Sequence, residues 1–295
     1  MLIGSNTSGP KDPWDALHGE HADYPLRAVV GREDDCNHYT DAAQKAIYAH
    51  ALPLRKDFSV LDFGCGNGRW SLWFAPRVAR VVGVDLSPEM VQAAWRLASE
   101  KNVKNVGFAV FKGGAAPFSD NSFDLVNCVW VLKYIPSDAE AVRTIVELSR
   151  VTKPGGYIAI IEQVNWSGAR LLENEGYFQG KAHYRKPDFY IDAFRECGMH
   201  LEYHAITNAS PLFGIYSRIR RALHAQDNAP LTTTLRCVTA LSVQGDLLTG
   251  RMTRFRNGHH FFLFRKDGDT GEPGRLKIPK PLSSLVRVLS PFRGA

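Results

Sequence analysis

Residues 60–70 read VLDFGCGNGRW, with Gly64, Gly66 and Gly68 at alternate positions just behind an apolar run that contains Asp62. Glycine loses more conformational freedom on folding than any other residue, so three in five positions mark a sharp turn or a close approach to the backbone. A short apolar run that feeds a glycine loop and then a helical segment is the ligand-binding corner of an open α/β sheet, where ligands meet the carboxyl ends of the strands. This one stretch predicts alternating strands and helices around a parallel sheet.

The rest of the first half keeps that rhythm. Residues 58–63 (FSVLDF), 80–85 (RVVGVD), 106–111 (VGFAVF), 122–132 (SFDLVNCVWVL) and 157–164 (YIAIIEQV) are short, branched and apolar, as buried strands are. Between them lie helical patterns from Arg69, over 89–102 and over 138–151, the second launched by Ser87-Pro88 as cap and first residue. A further helix is predicted at 39–52. Past Val164 the pattern loosens: 187–198 reads as a helix, 200–206 and 259–266 as strands, and residues 165–186 as loop.

Two ligand classes compete for the glycine loop. A dinucleotide fingerprint, GxGxxG, would need a glycine at Arg69, and its pyrophosphate would be repelled by Asp62. A phosphate-binding P-loop needs Gly-Lys-Ser/Thr after the glycines, which is absent. Asp85, at the tip of the second strand, suits the two hydroxyls of a ribose. An acid for a cationic group, a glycine cradle and a ribose acceptor together describe S-adenosylmethionine (SAM).

VLDFGCGNGRW, VVGVDLSPEMVQAA, APFSDNSFDLV, VLKYIPS and LSRVTKPGGYIAIIE resemble the successive motifs of class I SAM-dependent methyltransferases, in order and over about residues 58–162. They are most similar to the small-molecule subgroup of ubiquinone/menaquinone-type and sugar or lipid methyltransferases. The resemblance implies a Rossmann-like, doubly wound sheet of seven strands. It implies Asp62 and the loop Gly64, Cys65, Gly66, Asn67 and Gly68 around the methionine part of SAM, and Asp85 on the ribose. Leu86, Met90, Gly113 and Gly114 would lie at the adenine, Asn127 and Cys128 near the sulfonium, and Tyr39 on a helix closing over the cofactor. Lys112 stands where many relatives carry an aspartate that accepts from the adenine amine; lysine has no acceptor, so the Gly113-Gly114 backbone is expected to read the base.

The acceptor site of this fold lies beyond the fourth and fifth strands, which nominates Trp130, Lys133 and Tyr134, then Gln163 and Asn165, and Tyr184. A hydroxyl acceptor needs a general base; His183 and Glu162 are the catalytic candidates, and a carboxylate ending a buried strand needs a partner. The fourth strand ends Asn127-Cys128-Val129-Trp130 rather than in the Asn/Asp-Pro-Pro-Tyr of enzymes acting on exocyclic or amide nitrogens, so no nucleic-acid partner is expected. The expected reaction is O-methylation of a sugar or lipid-linked small molecule, with carbon or nitrogen acceptors, or a non-catalytic SAM-binding protein, as alternatives.

Charge divides the chain. From Thr207 onward there are 14 Lys and Arg against five Asp and Glu, leaving 22 against 25 before it. Two basic amphipathic stretches, 211–225 and 281–292, suit a lipid or membrane-surface contact. Five scattered cysteines without a CxxC pair argue against a disulfide framework or a zinc site, and no secretory leader or membrane span is visible, so a cytoplasmic, possibly membrane-peripheral location is the expectation. The expected organisation is an irregular extension (1–37), a SAM-binding domain (38–206), an inserted helical lid (207–256), the last strand (257–266) and a basic tail (267–295).

Overall fold

The computed structural model describes residues 26, 34–52, 54–135, 137–173, 181–222, 233–252 and 255–268. Most of the expected N-terminal extension, nearly all of the tail and the 281–292 stretch lie outside the described residues.

A long helix, α1 (Asp34–Ala51), precedes the sheet. Then follow β1 (Ser59–Phe63), α2 (Arg69–Phe74), β2 (Arg80–Asp85), α3 (Pro88–Glu100), β3 (Val106–Val110), β4 (Phe123–Val129), α4 (Asp138–Val151) and β5 (Thr152–Val164). After β5 come β6 (Arg170–Glu173), β7 (Lys181–Tyr184), α5 (Pro187–Glu196), β8 (Met199–Thr207), α6 (Pro211–Ala222), α7 (Thr233–Thr249) and β9 (Gly258–Lys266). Seven strands form one sheet in the order β3-β2-β1-β4-β5-β9-β8. The first five are parallel, while β9 runs antiparallel to both β5 and β8. This is the doubly wound, seven-stranded sheet that the resemblance implied.

Burial on both faces explains the apolar runs. Successive side chains of a strand point to opposite faces, and in β9 Phe261 and Leu263 join the core cluster on one face while Phe262 and Phe264 join the other. Caps set the helix starts: Ser87 Oγ accepts from the Met90 N–H at 3.2 Å ahead of Pro88, and Ser137 Oγ accepts from Glu140 N–H at 3.4 Å.

Residues 165–186 are not simply loop. β6 and β7 pair as an antiparallel ribbon, with Leu171 opposite His183 and Arg170 opposite Tyr184. Such a short two-stranded ribbon has little apolar alternation of its own and is stabilised by what it packs against, which is why its strands carry no clear period.

Candidate functional site

A cavity of about 300 Å³ opens at the carboxyl ends of β1, β2 and β4. The glycine loop forms its floor, and three turns of left-handed backbone shape it: Gly64, Gly66 and Gly68 have φ of +72°, +52° and +83°. The crowding that demands glycine comes from the protein itself. A Cβ on Gly64 would lie 2.2 Å from Val131 Cγ2, and one on Gly68 would lie 3.2 Å from Ala94 Cβ and Phe108 Cζ. Gly68 thus permits the close helix–strand packing that the third glycine of a dinucleotide fold provides. The loop's donors are used internally: Gly64 and Cys65 N–H donate to Val84 O (2.8 and 3.0 Å) and Gly66 N–H donates to Asp85 Oδ2 (2.8 Å). The loop therefore offers a ligand shape more than hydrogen bonds.

Asp85 stands on the cavity wall with Leu86, Met90, Phe111, Lys112 and Gly113. Its Oδ1 accepts from Ser87 N–H at 3.0 Å. Gly113 and Gly114 have φ of +92° and +89°, and a Cβ at either would meet open space. Backbone conformation, not close approach, is what needs glycine there.

Asp62, Asn67, Gly68, Asn127 and Cys128 are not among the residues lining the cavity. Asp62 is buried behind the loop, where Ser71 Oγ donates to Oδ2 (2.5 Å) and Asn127 Nδ2 to Oδ1 (2.7 Å). Burial pushes its carboxyl above the usual range. It braces the loop against α2 and β4 rather than facing the cavity.

Tyr39 is also elsewhere. Its ring stacks on Phe213 with centroids 4.1 Å apart, its hydroxyl donates to Asp246 Oδ2 (2.6 Å), and Ser210 N–H donates to that hydroxyl (2.9 Å). This buried contact ties α6 and α7 to α1, and no described residue of 207–256 lines the cavity. The described helices of the expected lid segment pack on α1, held there by this buried tyrosine–carboxylate pair. Tyr39→Phe, which removes the hydroxyl donor to Asp246 Oδ2 and the acceptor of Ser210 N–H, is expected to lower unfolding free energy by about 1–3 kcal/mol while cofactor affinity, read by calorimetry, stays put.

The opposite wall carries Arg69, Trp70, Val129, Trp130, Val131, Tyr134 and Ile135. Trp130 has φ of +57°, a strained conformation for a large side chain. Its indole N–H donates to His259 Nδ1 at 2.9 Å. Burial, together with the charge of Lys133, pushes the His259 imidazole down to about 3, so it stays neutral with its proton on Nε2. Arg69 lies over the Trp70 and Trp130 rings (5.0 and 5.4 Å) and pairs with Asp41 at 2.8 Å. Lys133 is buried, with its ammonium over Tyr134 (4.7 Å), Trp130 (5.7 Å) and Tyr184 (5.8 Å).

Two buried charges hold this wall. Glu162, fully buried on β5, accepts from the N–H groups of Val131 (3.0 Å), Leu132 (2.8 Å) and Lys133 (3.2 Å). Arg185 is 1% exposed; it donates to Leu132 O (2.8 Å), Ile135 O (2.6 Å) and Asp138 Oδ1 (2.8 Å). One carboxylate takes the segment's N–H groups and one guanidinium takes its carbonyls. Glu162 thus has the partners its burial requires, but it faces backbone and not the cavity, so the expected catalytic role does not fit its geometry. His183 is likewise off the wall, with Nδ1 3.4 Å from Asp138 Oδ1. Gln163 and Asn165 are off it too; Gln163 pairs with His259 in the β5–β9 register, and Asn165 N–H donates to Arg185 O at 3.1 Å.

Burial pushes the Glu162 carboxyl up to about 7, against the Lys133 ammonium and the three N–H groups, which lower it. A carboxyl raised above its unfolded value stabilises the fold fully below that value, and this contribution is lost as pH rises through the folded one. Glu162→Gln removes the titration and leaves every other group in place. Between about pH 6.5 and 8 the wild-type protein should lose roughly 1 kcal/mol relative to the variant, measured by urea unfolding at each pH.

Residues 61–160 match the family model described as "Methyltransferase domain". The chain carries a methyltransferase domain over these residues. The methyltransferase domain is 37% identical over 124 residues to YcgJ, an uncharacterized methyltransferase of Bacillus subtilis, covering 42% of this chain and 48% of that one. It is 33% identical over 133 residues to a demethylmenaquinone methyltransferase of Listeria monocytogenes, covering 43% and 54%. The chain spans about half the length of these curated relatives. Among solved structures, phosphoethanolamine N-methyltransferase 1 of Haemonchus contortus, in complex with phosphoethanolamine and S-adenosylhomocysteine, aligns with a TM-score of 0.59 and 16% identity over 95% of this chain and 53% of that one. At that identity the likeness is one of fold.

Motif reading found Asp85 and the glycine loop, whereas Arg69, Trp70, His259 and Arg185 were missed. Arg69 and Trp70 directly follow the loop, and a helix opening on the cavity was the available signal. His259 and Arg185 carry none, since they reach the site from distant segments.

Proposed function

We propose that the protein transfers the methyl group of SAM to an oxygen on an apolar, lipid-linked small molecule. The observation that carries this reading is the composition of one cavity: a glycine loop and Asp85 on one side, and an aromatic wall under a single guanidinium on the other. In this reading Asp85 accepts the ribose hydroxyls and Leu86 and Met90 flank the adenine. Bound SAM supplies an electrophilic methyl group; the chain's part is to place an acceptor atom in line about 3 Å away and to exclude water, and positioning of that kind accounts for much of such a rate.

Among the described residues, the wall facing Asp85 contains no histidine or second carboxylate. An alcohol of a sugar, which needs a base, fits this wall less well than an acidic oxygen such as a phenol, enol or carboxyl. Arg69 would favour its anionic form, and Trp130, Tyr134 and Ile135 would bury its apolar part. A ring carbon of a quinol-like acceptor is the second reading, favoured by the demethylmenaquinone methyltransferase relative.

Incubation with methyl-labelled SAM and separated lipid and aqueous cell extracts should label the lipid fraction, and the product's methyl resonance distinguishes oxygen from carbon. Label confined to water-soluble glycans would overturn the lipid reading. S-adenosylhomocysteine appearing in no extract would point to a non-catalytic SAM-binding protein. Asp85→Ala should weaken SAM binding by about tenfold or more, roughly 1.4 kcal/mol; calorimetry showing unchanged affinity would remove Asp85 from the cofactor site.

A further inference from the structure

Both helices of the pair α6–α7 carry exposed apolar side chains. On α6, Phe213 is buried against α1, while Ile215 and Ile219, one turn apart, are 55% and 56% exposed. On α7, Leu241 and Leu248, seven residues apart and so on one face, are 63% and 78% exposed, and Met252 and Phe255 just beyond are 79% and 62% exposed. An amphipathic helix in a globular protein normally buries its apolar stripe. Here much of it faces solvent, and most of the strongly exposed large apolar side chains among the described residues lie in this one segment.

The charge around it has one sign. Arg218, Arg236, Arg251 and Arg256 are exposed. Among the described residues of 208–256 the single carboxylate is Asp246, which is buried against Tyr39. No helix among the described residues is long and apolar enough to cross a membrane.

We propose that the α6–α7 face is a peripheral docking surface for an anionic lipid bilayer: the isoleucines, leucines and Met252 enter the headgroup boundary and the arginines meet lipid phosphates. Apolar insertion combined with arginine–anion attraction is how interfacial helices bind, and exposed arginines complement an anionic surface but not a neutral one. The same helices reach the cavity through α1, whose Tyr39 holds Asp246 and whose Asp41 holds Arg69. Docking would thus place the cavity near a membrane-resident acceptor, but the surface itself does not depend on what is methylated.

The test is co-sedimentation of the full chain with phosphatidylcholine vesicles with and without phosphatidylglycerol, at low and high salt. Binding is expected with phosphatidylglycerol and low salt, and release by salt. Each arginine at the surface multiplies partition about fivefold, so Arg218→Gln with Arg236→Gln should lower it about 25-fold. Leu248→Ser with Met252→Ser should also release the protein. SAM affinity, measured alongside, should not change in either variant, which separates loss of docking from misfolding. No binding to phosphatidylglycerol vesicles at low salt overturns the proposal. So does equal binding to neutral vesicles, or a self-associated state in sedimentation equilibrium that the Ser variants dissolve, which would make the face a contact between two copies of the chain.

Discussion

Gly64→Ala is expected to abolish detectable SAM binding and to lower unfolding free energy by about 3–5 kcal/mol. Two costs coincide. The backbone at Gly64 is left-handed, which costs an L-residue roughly 1–2 kcal/mol, and the new Cβ would lie 2.2 Å from Val131 Cγ2. Val131 cannot retreat easily, because its side chain is branched and stiff and its N–H is held by Glu162. The strain passes either into the loop that shapes the cavity floor or into the wall that carries Trp130. Val131→Ala in the same chain removes the overlap but leaves the backbone cost, so it should restore part of the stability and part of the binding. Calorimetry and denaturant unfolding of the three proteins measure both. Full activity and affinity in Gly64→Ala would show that the loop can deform without cost.

Arg185→Met should cost about 2–4 kcal/mol, the range for stripping a charged donor from two buried carbonyls. The Ile135 carbonyl loses its guanidinium donor, the Leu132 carbonyl keeps only the Ile135 N–H, and Asp138 loses its guanidinium partner. Arg185→Lys should recover little, since a single ammonium cannot span three acceptors in the guanidinium's planar fork. SAM affinity should fall by only a few-fold, because the glycine loop and Asp85 lie on the other side of the cavity. Methyl transfer should fall far more, since the wall held by Arg185 is the one proposed to meet the acceptor. Equal losses in affinity and transfer would mean that Arg185 supports the whole cavity.

These two residues mark where sequence reading succeeds and where it stops. Gly64 was legible because a glycine loop between a strand and a helix is a local event, fixed by φ preferences of neighbouring residues. Arg185 was not. Its carbonyl partners lie 50 and 53 residues away, and no pattern near it announces them.

The same division runs through the molecule. Sequence by itself determined the alternating strands and helices, the glycine corner and the acid at the tip of β2, all of which follow from apolar periodicity and backbone chemistry within a few residues; the seven-stranded sheet was what the family resemblance implied. Tertiary structure decided that Asp62 braces the loop from behind, that Glu162 binds backbone, and that Trp130 is fixed by a histidine 129 residues away. It also decided which face of α6 is buried. The apolar spacing of 212–219 fits either an inward or an outward stripe, and the choice was made by Tyr39, 207 residues from its partner Asp246, which anchors the pair to α1 through the face bearing Phe213. A side chain's direction depends on which distant segment offers a hydrogen bond or a ring to pack on, and that information is created only when the chain closes on itself.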